Sequence, residues 1–141
     1  MSLRTAMGLL ALVSLSCSTA FEAQPVPSPY RTGSVQDFVE NHGQDRRRID
    51  QMIAGELRAS GLHASSGMHA ERPAQFDVLV LHEDRWQWDM SNYLIFLRID
   101  LRDPKTNVLI ATGSSYQSSL ARKSPEEVVR RILTGMLGSG S

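Results

Sequence analysis

Residues 76–117 read FDVLVLHEDRWQWDMSNYLIFLRIDLRDPKTNVLIATGSSYQ, and the period of their apolar side chains decides the fold class. Positions 76–81 are almost continuously apolar. From Glu83 to Met90 the alternation is strict, with Trp86, Trp88 and Met90 on one side and Arg85, Gln87 and Asp89 on the other. A bulge or bend near His82–Asp84 is expected to divide the two halves. Tyr93, Ile95, Leu97, Ile99 and Leu101 then alternate with Leu94, Phe96, Arg98, Asp100 and Arg102, so one face stays apolar while the other turns polar in its second half. Asp103-Pro104-Lys105-Thr106-Asn107 reads as a turn, because proline presets φ and asparagine tolerates positive φ. Residues 108–117 return as the partner strand, which predicts a small antiparallel sheet.

Upstream, the period is helical from Gln44. Ile49, Met52, Ile53 and Leu57 form an apolar stripe, Arg46, Arg47, Arg48, Asp50, Gln51 and Arg58 take the other side, and Gly61 supplies a left-handed cap. The three arginines read as a solvated face rather than a patch for anionic headgroups. Residues 35–39 (VQDFV) fit either a short strand or the entry to this helix, and the pattern does not decide. Residues 62–68 fit a strand and 71–75 a loop. Downstream, Ser124-Pro125-Glu126-Glu127 places serine at an N-cap, proline at the first helical position and acid at the positive end of the helix dipole. Val128, Val129, Ile132, Leu133, Met136 and Leu137 form the stripe that follows. The expected class is α+β: an antiparallel sheet of three to five strands with two helices packed on one face.

The first twenty residues differ in kind. Arg4 is the only charge before Glu22, and residues 7–15 (MGLLALVSL) are a short apolar run followed by small residues. That layout is a secretory signal, its apolar run too short to span roughly 30 Å of hydrocarbon. Cys17, the only cysteine, has no partner for an intramolecular disulfide, and its place after the run resembles the lipidated first residue of a bacterial lipoprotein. Cleavage after Ala20 is the alternative. Pro25, Pro27 and Pro29 favour extended, solvated backbone. The expected organisation is a signal peptide at 1–16, a lipidated N-terminus and Pro-rich tether at 17–34, and one α+β domain at 35–141. Ser18 after the cysteine resembles lipoproteins sent to the outer membrane, so the expected location is the cell envelope, on the periplasmic face of the outer membrane in preference to the inner, which stays the alternative.

Fifteen Lys and Arg balance fifteen Asp and Glu, which leaves no basic surface for nucleic acid. His42, His63, His69 and His82 do not fall at H-x-x-x-H spacing, so no metal site is expected. The serine pairs at 114–115 and 118–119 lie in no G-x-S-x-G context, and no glycine-rich phosphate loop is present. No cofactor and no catalytic residue is expected, and the chain reads as non-enzymatic. The Trp86/Trp88/Met90 row has two meanings. Alternation, and a small domain's need for buried area, favour a core face beneath the helices. The other meaning is a contact surface, in which Trp86 and Trp88 with Arg85 and Arg98 grip a glycan, a lipid or an apolar partner. Arg85, Asp89, Arg98, Asp100 and Arg102 read as a solvated face of alternating charge.

The order in which Leu57-Arg58-Ala59-Ser60-Gly61 closes a helix, Asp77-Val78-Leu79-Val80 opens a strand, Asp84-Arg85-Trp86-Gln87-Trp88-Asp89-Met90 follows, Leu101-Arg102-Asp103-Pro104-Lys105-Thr106 turns and Ser119-Leu120-Ala121-Arg122-Lys123-Ser124-Pro125-Glu126-Glu127 enters the last helix resembles uncharacterised lipoproteins of Gram-negative bacteria. The resemblance covers about Asp45 to Leu137. More distantly, the chain is similar to the small α/β domains of envelope-assembly lipoproteins such as those serving curli secretion. The resemblance implies an envelope location and a protein partner in envelope assembly or maintenance, and it brings no catalytic residues.

Overall fold

The computed structural model describes residues 20–42 and 47–138. Strands β1 (Ala20–Ala23) and β2 (Gln36–Asn41) precede helix α1 (Ile49–Ala59); β3 (His63–Met68), β4 (Val78–Asp89), β5 (Ser91–Arg102), β6 (Leu109–Tyr116) and helix α2 (Pro125–Leu137) follow. The strands form one sheet in the order β1-β6-β5-β4-β2-β3. The class is α+β, but the sheet has six strands rather than three to five, and it is mixed rather than antiparallel.

The meander β4–β5–β6 is antiparallel, as the alternation of residues 76–117 requires, and β1 adds to it antiparallel through β6. On the other side β2 runs parallel to both β3 and β4. The reason lies in the connection: a helix between two strands of one sheet returns the chain to its starting end, so β2–α1–β3 is a parallel crossover. Residues 36–41 thereby resolve as a strand. From β3 the chain recrosses β2 on the face opposite the helices. There Arg72 Nε donates to Glu40 Oε2 at 2.7 Å, and Phe76 packs on Phe38 with ring centroids 5.7 Å apart.

Both helices cover the same face. Ile49, Ile53, Leu57, Val129, Ile132 and Leu133 join Val39, Val78, Val80, Leu97, Ile99 and Ala111 in one buried cluster. Two glycines set how closely the layers meet. A Cβ on Gly113 of β6 would lie 2.8 Å from Ile132 Cγ2, and one on Gly135 of α2 would lie 2.5 Å from Phe21 Cζ. The caps follow the expected chemistry. Gly61 has φ +86° and closes α1, while Ser124 Oγ accepts the Glu127 N–H at 3.2 Å to open α2. In the turn after β5, Asp103 Oδ1 accepts from the backbone of Lys105 and Thr106, at 2.8 and 2.9 Å, and Asn107 sits at φ 60°. Those two donors hold the Asp103 carboxyl below its usual range, the Thr106 contact foremost.

The expected tether is corrected by the same sheet. Residues 20–23 are a strand, Val26 is buried and Tyr30 packs against the core cluster. The prolines explain how an extended segment docks. Pro25 and Pro27 bring no N–H to satisfy, and the intervening donors are used: Gln24 N–H reaches Thr112 O at 2.9 Å and Val26 N–H reaches Met136 O at 2.8 Å. The extended backbone foreseen for the prolines holds at Pro27, with φ −56° and ψ 144°, but not at Pro29, which lies in the 3-10 turn Ser28–Arg31. Cys17 and the signal segment lie outside the described residues.

Candidate functional site

The most exposed aromatic feature of the fold is the far end of the β4–β5 hairpin. The first halves of the two strands are not comparable environments. β4 pairs with β2 only through Val78 to Val80, and β5 pairs with β6 only from Phe96 onward. Beyond those limits none of the described strands flanks the hairpin on either side. Its register shifts between Arg85 and Trp86, not near His82–Asp84 as expected, and it then continues to the tip, where Met90 takes φ 59°.

Alternation along β4 splits the residues singled out in the sequence, because the shift places its unpaired residue, Ile95, in β5 and leaves the faces of β4 unchanged. Trp86 lies on the helix side, half-buried against the core cluster; its Nε1–H donates to Asp84 Oδ2 at 2.6 Å and the Arg47 guanidinium lies 4.0 Å from its ring. Asp84 also pairs with His82 Nδ1 at 3.2 Å. The hydrogen bond from His82, ahead of that from Trp86, holds the Asp84 carboxyl below its usual range despite burial. Trp88 is 70% exposed and Met90 91% exposed. The core reading of the row therefore holds for Trp86 in part and fails for Trp88 and Met90, because none of the described residues on the helix face covers them. Arg85 and Arg98 lie on the opposite face, where Arg85 stacks over Phe96 at 4.2 Å and Arg98 Nη2 meets Glu83 Oε2 at 2.9 Å. Asp100 continues this ladder to Arg98 and Arg102 and accepts the Thr112 hydroxyl. The structure does not bring the two tryptophans and the two arginines together.

Sequence reading overlooked the segment that braces the tip. Residues 117–123 leave β6 and climb beside β5: Gln117 N–H reaches Ile95 O at 2.9 Å, and the buried Gln117 amide donates to Leu94 O at 2.5 Å. Arg122 then bonds Asp89 Oδ2 at 3.1 Å and Ser91 Oγ at 3.3 Å, and lies 4.8 Å from the Tyr93 ring. Leu120, at the outside of this segment, is 79% exposed. Its signal was isolation: it is an apolar residue among Ser118, Ser119, Ala121 and Arg122 that belongs to no period.

A second feature lies at the opposite end of the sheet. A cleft of about 970 Å3 is lined by Tyr30, Gln36, Arg72, Asp77, Asp103 and Lys105, among others. Its arginine and its carboxylates serve the frame: Arg72 holds Glu40, Asp77 Oδ2 accepts the Gln36 N–H at 2.8 Å, and Asp103 holds its turn. Nearby, Asp37 is buried on the helix face between Val35 and Val39, and its Oδ1 has no hydrogen-bond partner among the described residues. Burial, and secondarily the charge of Asp77, push its pKa up to about 7. Among the described residues no three His, Cys, Asp or Glu side chains converge as metal ligands.

No protein-family model and no curated protein matches the sequence. Solved structures do share the fold. The PelC dodecamer from Paraburkholderia phytofirmans superposes with a TM-score of 0.64 at 11% identity, over 87% of this chain and all of that one. A single-substitution variant of that protein, also a dodecamer, gives 0.63 at 12% identity over 86% of this chain and all of that one. A PDZ-domain protein from Parabacteroides distasonis gives 0.47 at 12% identity, over 80% of this chain and 33% of that one. At these identities the likeness to PelC is one of fold.

Proposed function

We propose that this chain is a lipid-anchored, non-enzymatic protein of the bacterial envelope that acts through protein contacts in envelope assembly or maintenance. The carrying observation is the junction at the N-terminus: the signal layout ends at Cys17, and the folded sheet begins three residues later at Ala20. The basic residue, short apolar run and small residues of the first twenty positions support the compartment. The engagement of Asp84, Glu40, Asp100 and Asp103 in structural bonds supports a scaffold rather than a reaction centre. PelC is a dodecamer, so further copies of this chain are the first partners to test, by sedimentation of the detergent-solubilised protein. Ser18 supports the outer membrane as destination. Metabolic labelling with a radioactive fatty acid tests the anchor: the wild-type chain takes up label and Cys17→Ala does not, whereas equal label in both would sink the reading.

A second reading is favoured by the exposure of Trp88: a module that takes glycan or lipid on the tip of the β4–β5 hairpin. Tryptophan emission that stays unchanged across envelope glycans and lipids would remove it.

A further inference from the structure

The strand pairing places the N-terminal junction and the exposed apolar tip at one end of the molecule. Ala20 pairs with Tyr116, Tyr116 pairs with Phe96, and the chain runs from there up β5 to the hairpin tip. Residues 117–123 bind that tip through Arg122. Trp88, Met90 and Leu120, exposed at 70, 91 and 79%, therefore form one braced protrusion, with half-exposed Tyr116 at its foot beside Ala20. The other large exposed apolar side chains among the described residues lie elsewhere: Val108 and Leu109 follow the turn at the opposite end, and Met68 is on the far edge strand.

We infer that this protrusion is a membrane-docking surface, with Trp88, Met90 and Leu120 seated in the headgroup region of the leaflet that holds Cys17. The inference rests on the anchored reading of Cys17 and deepens it. Only Ser18 and Thr19 separate that cysteine from Ala20, so the link spans at most about 11 Å when fully extended. Trp88 lies three strand spacings, about 14 Å, across the sheet from β1. With Ala20 level with Phe96 and Trp88 with Asn92, it also lies four residues, ~13 Å, further along the sheet, so that a tilt of the sheet brings the junction and the tip to one bilayer surface. An anchor so close to the sheet holds this end of the domain at the bilayer and turns a weak contact into an intramolecular one. The residues suit that place. Tryptophan rings favour the interface between headgroups and acyl chains, methionine adapts to it, and long basic side chains keep their charge in water. The rim is mixed in sign, with Arg122 and Lys123 against Asp89, Glu126 and Glu127, so apolar insertion rather than attraction to anionic lipid drives the contact.

The test uses the chain from Cys17 onward, which contains every described residue, with its one thiol coupled to a thiol-reactive phospholipid. The anchor is thus supplied whether or not cells lipidate the cysteine, and failure of docking is distinguishable from failure of labelling. In vesicles of phosphatidylcholine and phosphatidylethanolamine, Trp88 emission is taken as the difference between the wild type and Trp88→Phe. Lipids brominated near the headgroup are expected to remove roughly half of that emission or more, with no dependence on salt. Met90→Ser with Leu120→Ser should abolish the quenching without shifting the thermal melt. Trp88 emission untouched by brominated lipid, with coupling confirmed by mass, overturns the inference. So does Trp88 that is shielded from soluble acrylamide yet unquenched by lipid, which would assign the tip to a second copy or another protein.

Discussion

The two ends of the β4–β5 hairpin share one strand pattern and meet opposite fates. At the inner end Val78 and Val80, within a nearly continuous apolar run, and Ile99 and Leu101, which alternate with polar residues, are buried, because β2 and β6 flank the pair and the helices roof it. At the outer end Trp86, Trp88 and Met90 alternate as regularly, yet exposure climbs toward the tip. Alternation states which way a side chain points. Whether anything waits on that side depends on how far the neighbouring elements run, which is a property of the whole sheet.

The contrast predicts unequal costs. Leu97→Ala, in the roofed half, should lower the unfolding free energy by about 2–5 kcal/mol in a urea titration, by transfer and cavity terms together. A smaller loss would mean that the inner half collapses as readily as the outer. Asp37 tests the same roof through its buried charge. A carboxyl raised to about 7 in the fold and ordinary when unfolded binds its proton more tightly in the native state, so stability falls as pH rises from about 4 to 7 and stays lowered above. Asp37→Asn should therefore stabilise the protein by ~1–3 kcal/mol at pH 8 and little at pH 4. A gain of equal size at both pH values would assign it to packing instead.

Ser124→Ala removes the cap of the roofing helix and should cost about 1 kcal/mol, read from thermal melts. At the outer end Arg122→Ala breaks exposed bonds to Asp89 and Ser91 and should cost less than about 1 kcal/mol while raising amide exchange across residues 117–123. Trp88→Ser should leave stability within about 0.5 kcal/mol. A larger loss at Trp88 would show that the tip is part of the core after all.

Much of this was legible wherever a local rule sufficed. The Ser124 cap, the Gly61 stop, the Asp103–Asn107 turn and both helical stripes follow from chemistry within a few residues, and each is found in the structure. What escaped depends on distant partners. Nothing within Ala20–Ala23 announces a strand, since its pairing is written in β6, and the parallel placement of β2 is set by a helix that follows it. Of the residues proposed for contact, Trp88 stands free, Trp86 is half-committed to the core, and Arg85 and Arg98 face the other way. The register shift between Arg85 and Trp86 could not be read from alternation alone. Leu120 was passed over because it had no pattern to join.

The pairing of β1 with β6 also orders the making of the protein. The first of the described strands can complete its ladder only when Tyr116, 96 residues after Ala20 (116 − 20), has arrived. Closing that distance carries a loop entropy of about 4 kcal/mol, so β1 waits unpaired while the β2–α1–β3 unit and the meander assemble from nearer contacts. A polypeptide threaded N-terminus first would thus present its leading end while that end is still unfolded, and β1 would be the last of the described strands to lock.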